Sequence, residues 1–116
     1  MASSNGLVLV DLDGTLCRYS ADAFTGRADL ELLPGTLEKL AEWRAKGYMI
    51  VITTGRQLSR LETERQLKIA GIQYDHLVMG MGGGPRHLIN DIKPEGTLTA
   101  FAHNLPRNAG ISSVTI

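Results

Sequence analysis

Apolar residues fall into two patterns along this chain. Leu7-Val8-Leu9-Val10 and Tyr48-Met49-Ile50-Val51-Ile52-Thr53 are short unbroken runs, the pattern of strands buried on both faces of a parallel sheet. Between them, Pro34-Gly35-Thr36 opens a stretch where Leu37, Leu40 and Ala41 recur at helical spacing until Gly47, with Trp43 at the margin of that face. Ser59-Arg60-Leu61-Glu62 and Thr63-Glu64-Arg65-Gln66 both fit a capping box, so a second helix starts at one of them and ends at Ala70-Gly71. His76-Leu77-Val78-Met79 reads as a third strand, residues 86–91 as a fourth and residues 97–103 as a fifth. Residues 111–116 alternate weakly, as an edge strand or a partner-binding tail does. Residues 17–33 read as a loop or short hairpin, and Gly80-Met81-Gly82-Gly83-Gly84-Pro85 as a pliant connector. Strands alternating with helices predict a three-layer α/β fold around a mainly parallel sheet.

At 116 residues, 43% of them hydrophobic, the chain has the material for one domain with one core, spanning residues 1–116. Twelve basic and twelve acidic residues cancel, which gives no electrostatic reason to expect nucleic acid or an anionic membrane as partner and tolerates self-association. Cys17 has no second cysteine to pair with, so a reducing, cytoplasmic setting is expected. Residues 1–6 lack the basic head and apolar stretch of a signal peptide, and no apolar run approaches the roughly 20 residues of a membrane helix.

The chemistry concentrates where the first strand ends, in Asp11-Leu12-Asp13-Gly14-Thr15-Leu16. In α/β sheets, ligands bind beyond the carboxyl ends of the strands. Residues i and i+2 of an extended segment project to the same side, so both carboxylates can face one small volume. Their repulsion calls for a neutraliser, and Mg²⁺ favours one or two carboxylates together with waters and phosphate oxygens. A calcium loop of the EF-hand type is the rival reading of Asp-x-Asp-Gly. It fails because a strand precedes the motif and Asp22 stands where that loop needs glutamate.

Asp11-Leu12-Asp13-Gly14-Thr15-Leu16 after an apolar strand resembles the first motif of the haloacid dehalogenase-like phosphohydrolases. The resemblance implies that Asp11 is the nucleophile, becoming an aspartyl-phosphate, and that Asp13 is the general acid/base. Thr54, with Gly55 and Arg56 behind it, matches the second motif, whose hydroxyl and main-chain N–H groups hold the transferring phosphoryl group. Asp91 matches the terminal acid of the fourth motif and joins Asp11 and Asp13 around Mg²⁺, with Asn90 as a helper. The third-motif lysine has no counterpart: no lysine lies between Lys68 and Lys93, and Lys93 or Arg86 would have to supply that charge, Lys93 fitting more easily as a point charge.

The resemblance further implies a Rossmann-like core with strand order 5-4-1-2-3 and no cap domain, since the insert after the first motif is too short for one. Arg18, Tyr19 and Arg27 of that insert are candidate substrate contacts. The expected activity is a Mg²⁺-dependent phosphomonoesterase acting on a small phosphorylated substrate. Residues 88–94 resemble those of small members tied to capsule and lipopolysaccharide sugar synthesis, so a sugar phosphate is expected. Capless relatives restrict their open sites by assembling, which implies a homo-oligomer. Two rival functions are a Mg²⁺ and phosphate binding module without turnover, and a mutase, which usually needs a cap to exclude water.

Overall fold

A computed structural model describes residues 5–57 and 59–116. Residues 1–4, read above as lacking a leader, lie outside the described residues. The elements are β1 (Gly6–Asp11), α1 (Ala21–Phe24), α2 (Thr36–Ala45), β2 (Tyr48–Thr53), α3 (Arg60–Ile69) and β3 (His76–Val78). The strands form one parallel sheet in the order β1-β2-β3, with Val8 opposite Ile50 and Ile52 opposite Leu77. Each β-to-β connection carries a helix, as parallel pairing requires.

The expected half-order 1-2-3 is therefore present, while a fourth and fifth strand are not found among the described residues. Residues 86–91 and 97–103, expected as strands, instead form an arm whose residues 83–98 are all exposed. A parallel return crosses back over the sheet in a dozen residues or more, usually as a helix. Between Val78 and Arg86 the chain offers only the glycine-rich residues 79–85. The arm closes on itself: Lys93 N–H donates to Thr97 O at 3.0 Å, Gly96 N–H to Lys93 O at 2.8 Å, and the Thr99 hydroxyl to Asp91 O. It leaves Ile89 90% exposed and stretches the molecule to 49 × 29 × 27 Å.

Without a neighbour on its outer side, β1 is an edge strand, and the expectation of burial on both faces fails for it. Val8 and Val10 point into the core, while Leu7 and Leu9 stay 53% and 50% exposed. β2 is the central strand, and Ile50, Val51, Ile52 and Thr53 are all buried. In α2 the buried stripe is Thr36, Leu40 and Trp43 rather than Leu37, Leu40 and Ala41; Leu37 is exposed, and Trp43, placed at the margin above, lies in the core. The Thr36 hydroxyl donates to Leu16 O at 2.6 Å, which turns the helix so that position 36 faces inward. α3 begins after Ser59 without a side-chain cap bond, so neither capping box forms as predicted. Residues 17–33 contain the short helix α1, capped by the Ser20 hydroxyl accepting from Ala23 N–H.

Residues 111–116 are not a strand. Ile111 and Val114 enter the core cluster with Val8, Val10 and Trp43, and Ile111 N–H donates to Pro34 O at 3.0 Å. Gly110 makes this approach possible: a Cβ there would sit 2.4 Å from Pro34 O, and its φ is +85°. The C-terminal segment thereby runs from the carboxyl end of β1 to the end of α2, where Lys46 Nζ donates to Ile116 O at 3.2 Å.

Candidate active site

The carboxyl ends of β1 and β2 meet at one buried polar centre. Leu12 N–H donates to Thr53 O at 3.0 Å and carries the ladder one residue past β1. The chain then turns, so Asp13 faces inward while Asp11 faces out. Asp13 is 9% exposed and Arg56 fully buried. Arg56 grips Asp13 as a fork, Nε donating to Oδ2 at 3.1 Å and Nη2 to Oδ1 at 2.8 Å. The Thr54 hydroxyl donates to the same Oδ2 at 2.9 Å and accepts from Arg56 N–H at 3.2 Å. Nη1 of Arg56 donates to Gln66 Oε1, and the Gln66 amide donates to Ala23 O at 3.0 Å and Ala28 O at 2.7 Å. One arginine thus ties the first-motif loop, the loop after β2, α3 and the α1 insert together.

Asp11 is exposed and accepts from the Thr15 hydroxyl at 3.2 Å and from the Leu12 main-chain N–H. Its neighbours still strip water from the carboxyl, and this desolvation, with the charge of Asp13, raises its pKa above the ordinary carboxylate value. Thr15 and the positive charge of Arg86 pull the other way. Arg86 is thus the cation whose field reaches Asp11. It is held by Nη1 donating to Gly84 O at 2.6 Å and Nη2 to Gly82 O at 2.8 Å. That glycine loop in turn lies on the loop after β2: Gly80 N–H donates to Arg56 O at 2.8 Å, and a Cβ on Gly55 would stand 2.9 Å from Gly82 O.

The site residues expected from sequence are therefore only partly brought together. Asp11, Asp13, Thr54, Gly55 and Arg86 converge. Arg56 converges too, but not as a substrate contact, because every guanidinium nitrogen is held by protein and none is exposed. Asp13 and Thr54 are buried and turned onto each other and Arg56, so neither is open to a metal or a phosphate in this arrangement. Asp91 and Lys93 lie exposed on the arm, and among the described residues no three His, Cys, Asp or Glu side chains gather as a metal site. Among the described residues, the donors that fit a hard cation reduce to Asp11, which has no ion pair there; Mg²⁺ tolerates a single carboxylate when water and phosphate supply the rest.

Sequence reasoning missed Thr63, Gln66 and Cys17. Gln66, read only as part of a capping box, is fully buried and carries the second half of the Arg56 cage. Cys17 donates its thiol weakly toward Asp13 Oδ1 at 3.9 Å; burial first, and then the Asp13 charge, push its pKa up to about 12, which leaves it inert as a nucleophile.

The family model for haloacid dehalogenase-like hydrolases matches residues 8–83. No curated protein matches the chain. Among solved structures it is similar to a chain of a Pnkp1/Rnl/Hen1 complex, with 27% identity and a TM-score of 0.58 over 75% of this chain and 32% of that one. It is also similar to D,D-heptose 1.7-bisphosphate phosphatase from B. bronchiseptica complexed with magnesium and phosphate, with 22% identity, a TM-score of 0.51, and coverage of 67% and 51%. A structural-genomics target from Vibrio cholerae shares 19% identity at a TM-score of 0.57, with coverage of 90% and 85%. The last two likenesses are of fold. The chain spans about a third of the first structure's chain and about half of the second's.

Two outcomes test the site. Arg56→Met strands the Asp13 carboxylate in the core and is expected to cost about 3–5 kcal/mol in urea unfolding, whereas Asp13→Leu/Arg56→Met regains much of that loss; equal losses in both variants contradict the buried pairing. Asp11 binds its proton more readily folded than unfolded, so its ionised form costs stability above the folded pKa, and the cost fades as pH falls. In chelator, Asp11→Asn therefore melts higher than wild type at neutral pH, and the gap closes through the acid range. A wild type that melts as high as the variant at pH 7 refutes this.

Proposed function

The chain belongs to the haloacid dehalogenase-like hydrolase family, and on that footing we propose that it is a Mg²⁺-dependent phosphomonoesterase working through an aspartyl-phosphate. The observation that carries this reading is the division of labour between two carboxylates two residues apart: Asp11 open to solvent at the end of β1, and Asp13 locked behind it by Arg56 and Thr54. An oxygen of Asp11 attacks phosphorus while the ester P–O bond breaks, and Asp13, protonated from solvent once one arm leaves the Arg56 fork, gives that proton to the leaving oxygen. Asp13 next takes a proton from a water whose oxygen attacks phosphorus; the bond from Asp11 to phosphorus breaks and phosphate leaves. To reach either oxygen, Asp13 frees one arm from the Arg56 fork, so Arg56 and Thr54 act as positioning residues.

Mg²⁺ held by Asp11 would spread the negative charge of the phosphoryl oxygens. Arg86 takes the part of the missing third-motif lysine, on the support that its charge already acts on Asp11 while Lys93 stands out on the arm. The main-chain N–H of half-buried Gly55 is a donor for a phosphoryl oxygen. Asp91 would join Asp11 only by repositioning of the arm. The substrate proposed is a sugar phosphate or similar small phosphorylated metabolite, met in the cytoplasm; among the described residues no helix is long and apolar enough to cross a membrane.

A non-catalytic Mg²⁺ and phosphate binding module is the second reading, favoured by one observation: both oxygens of Asp13 are already occupied. A phosphatase panel with Mg²⁺, with chelator and with Asp11→Asn separates the two. Phosphate release that needs Mg²⁺ and falls by three or more orders of magnitude in Asp11→Asn is expected, roughly the loss of a covalent nucleophile; release surviving in Asp11→Asn ends the nucleophile assignment, and silence on every substrate promotes the binding module.

A homo-oligomer is proposed as well, because Leu7 and Leu9 on β1 and Leu88, Ile89 and Phe101 on the arm are apolar surface for a neighbour to cover. A monodisperse monomer in small-angle X-ray scattering would remove it.

A further inference from the structure

Arg18, Arg44, Arg56, Arg60 and Arg65 each hold a carboxylate. Arg27, Arg86 and Arg107 hold none among the described residues, and of these Arg86 and Arg107 stand at the carboxyl end of β1. Arg86 is placed by its own bonds to the glycine loop. Arg107 comes from the other direction, on the C-terminal segment, and its placement is built with some care. The Asn108 N–H donates to Gly14 O at 2.8 Å, and Asn108 Oδ1 accepts from Tyr19 N–H at 2.8 Å. With both bonds made, Asn108 sits at a φ of +66°, in the left-handed region that asparagine enters more readily than other side chains. The result lays the Arg107 stem against Gly14, Cγ 3.2 Å from where a Cβ would be, and its guanidinium 4.2 Å above the exposed Tyr19 ring.

The stack continues inward. Tyr19 packs on Phe24 with ring centroids 6.2 Å apart, and Phe24 lies 5.7 Å beneath Arg56, the arginine that grips Asp13. A cation–aromatic ladder thus runs from the buried centre of the site to its rim and ends in an unpaired guanidinium. A guanidinium held over a ring by its central carbon, with no carboxylate on its N–H groups, can turn those N–H groups toward two oxygens of a phosphate.

We propose that Arg107, presented by Tyr19, binds a second phosphate group on the substrate, one that does not react, so that the preferred substrates carry two phosphates. The proposal rests on the phosphatase reading of Asp11. Two sources share this chemistry, a small sugar bisphosphate and the phosphorylated end of a nucleotide chain.

Turnover with Mg²⁺ is compared for a hexose bisphosphate against the hexose monophosphate, and for a nucleoside 3′,5′-bisphosphate against the 3′-monophosphate. Wild type is expected to favour one bisphosphate by about tenfold in kcat/KM, as a charge-assisted bidentate contact allows, and the favoured pair identifies the source. Arg107→Ala collapses that ratio through KM rather than kcat, Arg107→Lys recovers part of it, and Tyr19→Leu weakens it with no change of charge. Melting curves of the variants separate this from a loss of fold. Calorimetric titration of the Asp11→Asn protein with the same four ligands, with and without Arg107→Ala, reads the preference without turnover. If neither assay shows a bisphosphate preference, or if Arg107→Ala leaves one intact, the proposal is overturned. Silent turnover alongside an Arg107-dependent binding preference overturns the phosphatase reading and supports the second-phosphate site.

Discussion

Everything at the carboxyl end of the sheet depends on the buried fork between Arg56 and Asp13. Burying two charges costs several kcal/mol each, and hydrophobic replacements of such pairs are often as stable or more so. The pair is therefore better understood as a device for position than as a source of stability. It fixes where the first-motif loop turns, it places the loop after β2, and through Gln66 it anchors the insert that carries Phe24 and Tyr19. Thr54 and Thr63 complete the cage, so almost no donor or acceptor around the guanidinium is left to wander.

The fork also separates the two carboxylates that the strand pattern would have set side by side. With Asp13 drawn inward, Asp11 stands at the surface, held by Thr15 and sensed by Arg86. That asymmetry suits a nucleophile in front and a proton carrier behind. It also gives the site a net positive surround: the carboxylate of Asp13 is neutralised internally, and Arg86 and Arg107 enter from opposite sides with no carboxylate of their own among the described residues.

A second constraint is the length of chain between β3 and the arm. Seven residues of glycine-rich chain cannot carry a strand back across the sheet as a parallel neighbour of β1, because such a return needs roughly a dozen. The consequence is an open edge on β1, with Leu7 and Leu9 uncovered on one face, and an arm that holds itself together by its own turn. An open apolar strand edge invites pairing.

Local sequence determined those parts of the protein whose signals are short in range. The unbroken run of Tyr48 to Thr53 marked the central strand, Gly47 and Gly71 marked where α2 and α3 give out, and the pair of aspartates after an apolar strand marked the end of the sheet where the candidate site lies. Tertiary structure alone decided which way each of those groups faces. Arg56 reads as a substrate contact until Gln66 on α3 shows that it is caged; Ile111 reads as a strand residue until Pro34 takes its N–H. Residues 86–103 carry a strand's composition, but pairing needs a partner within reach, and reach is set by the path of the whole chain. Periodicity records what a segment prefers for itself, whereas burial, pairing and the direction of a charged side chain depend on groups that only folding brings near.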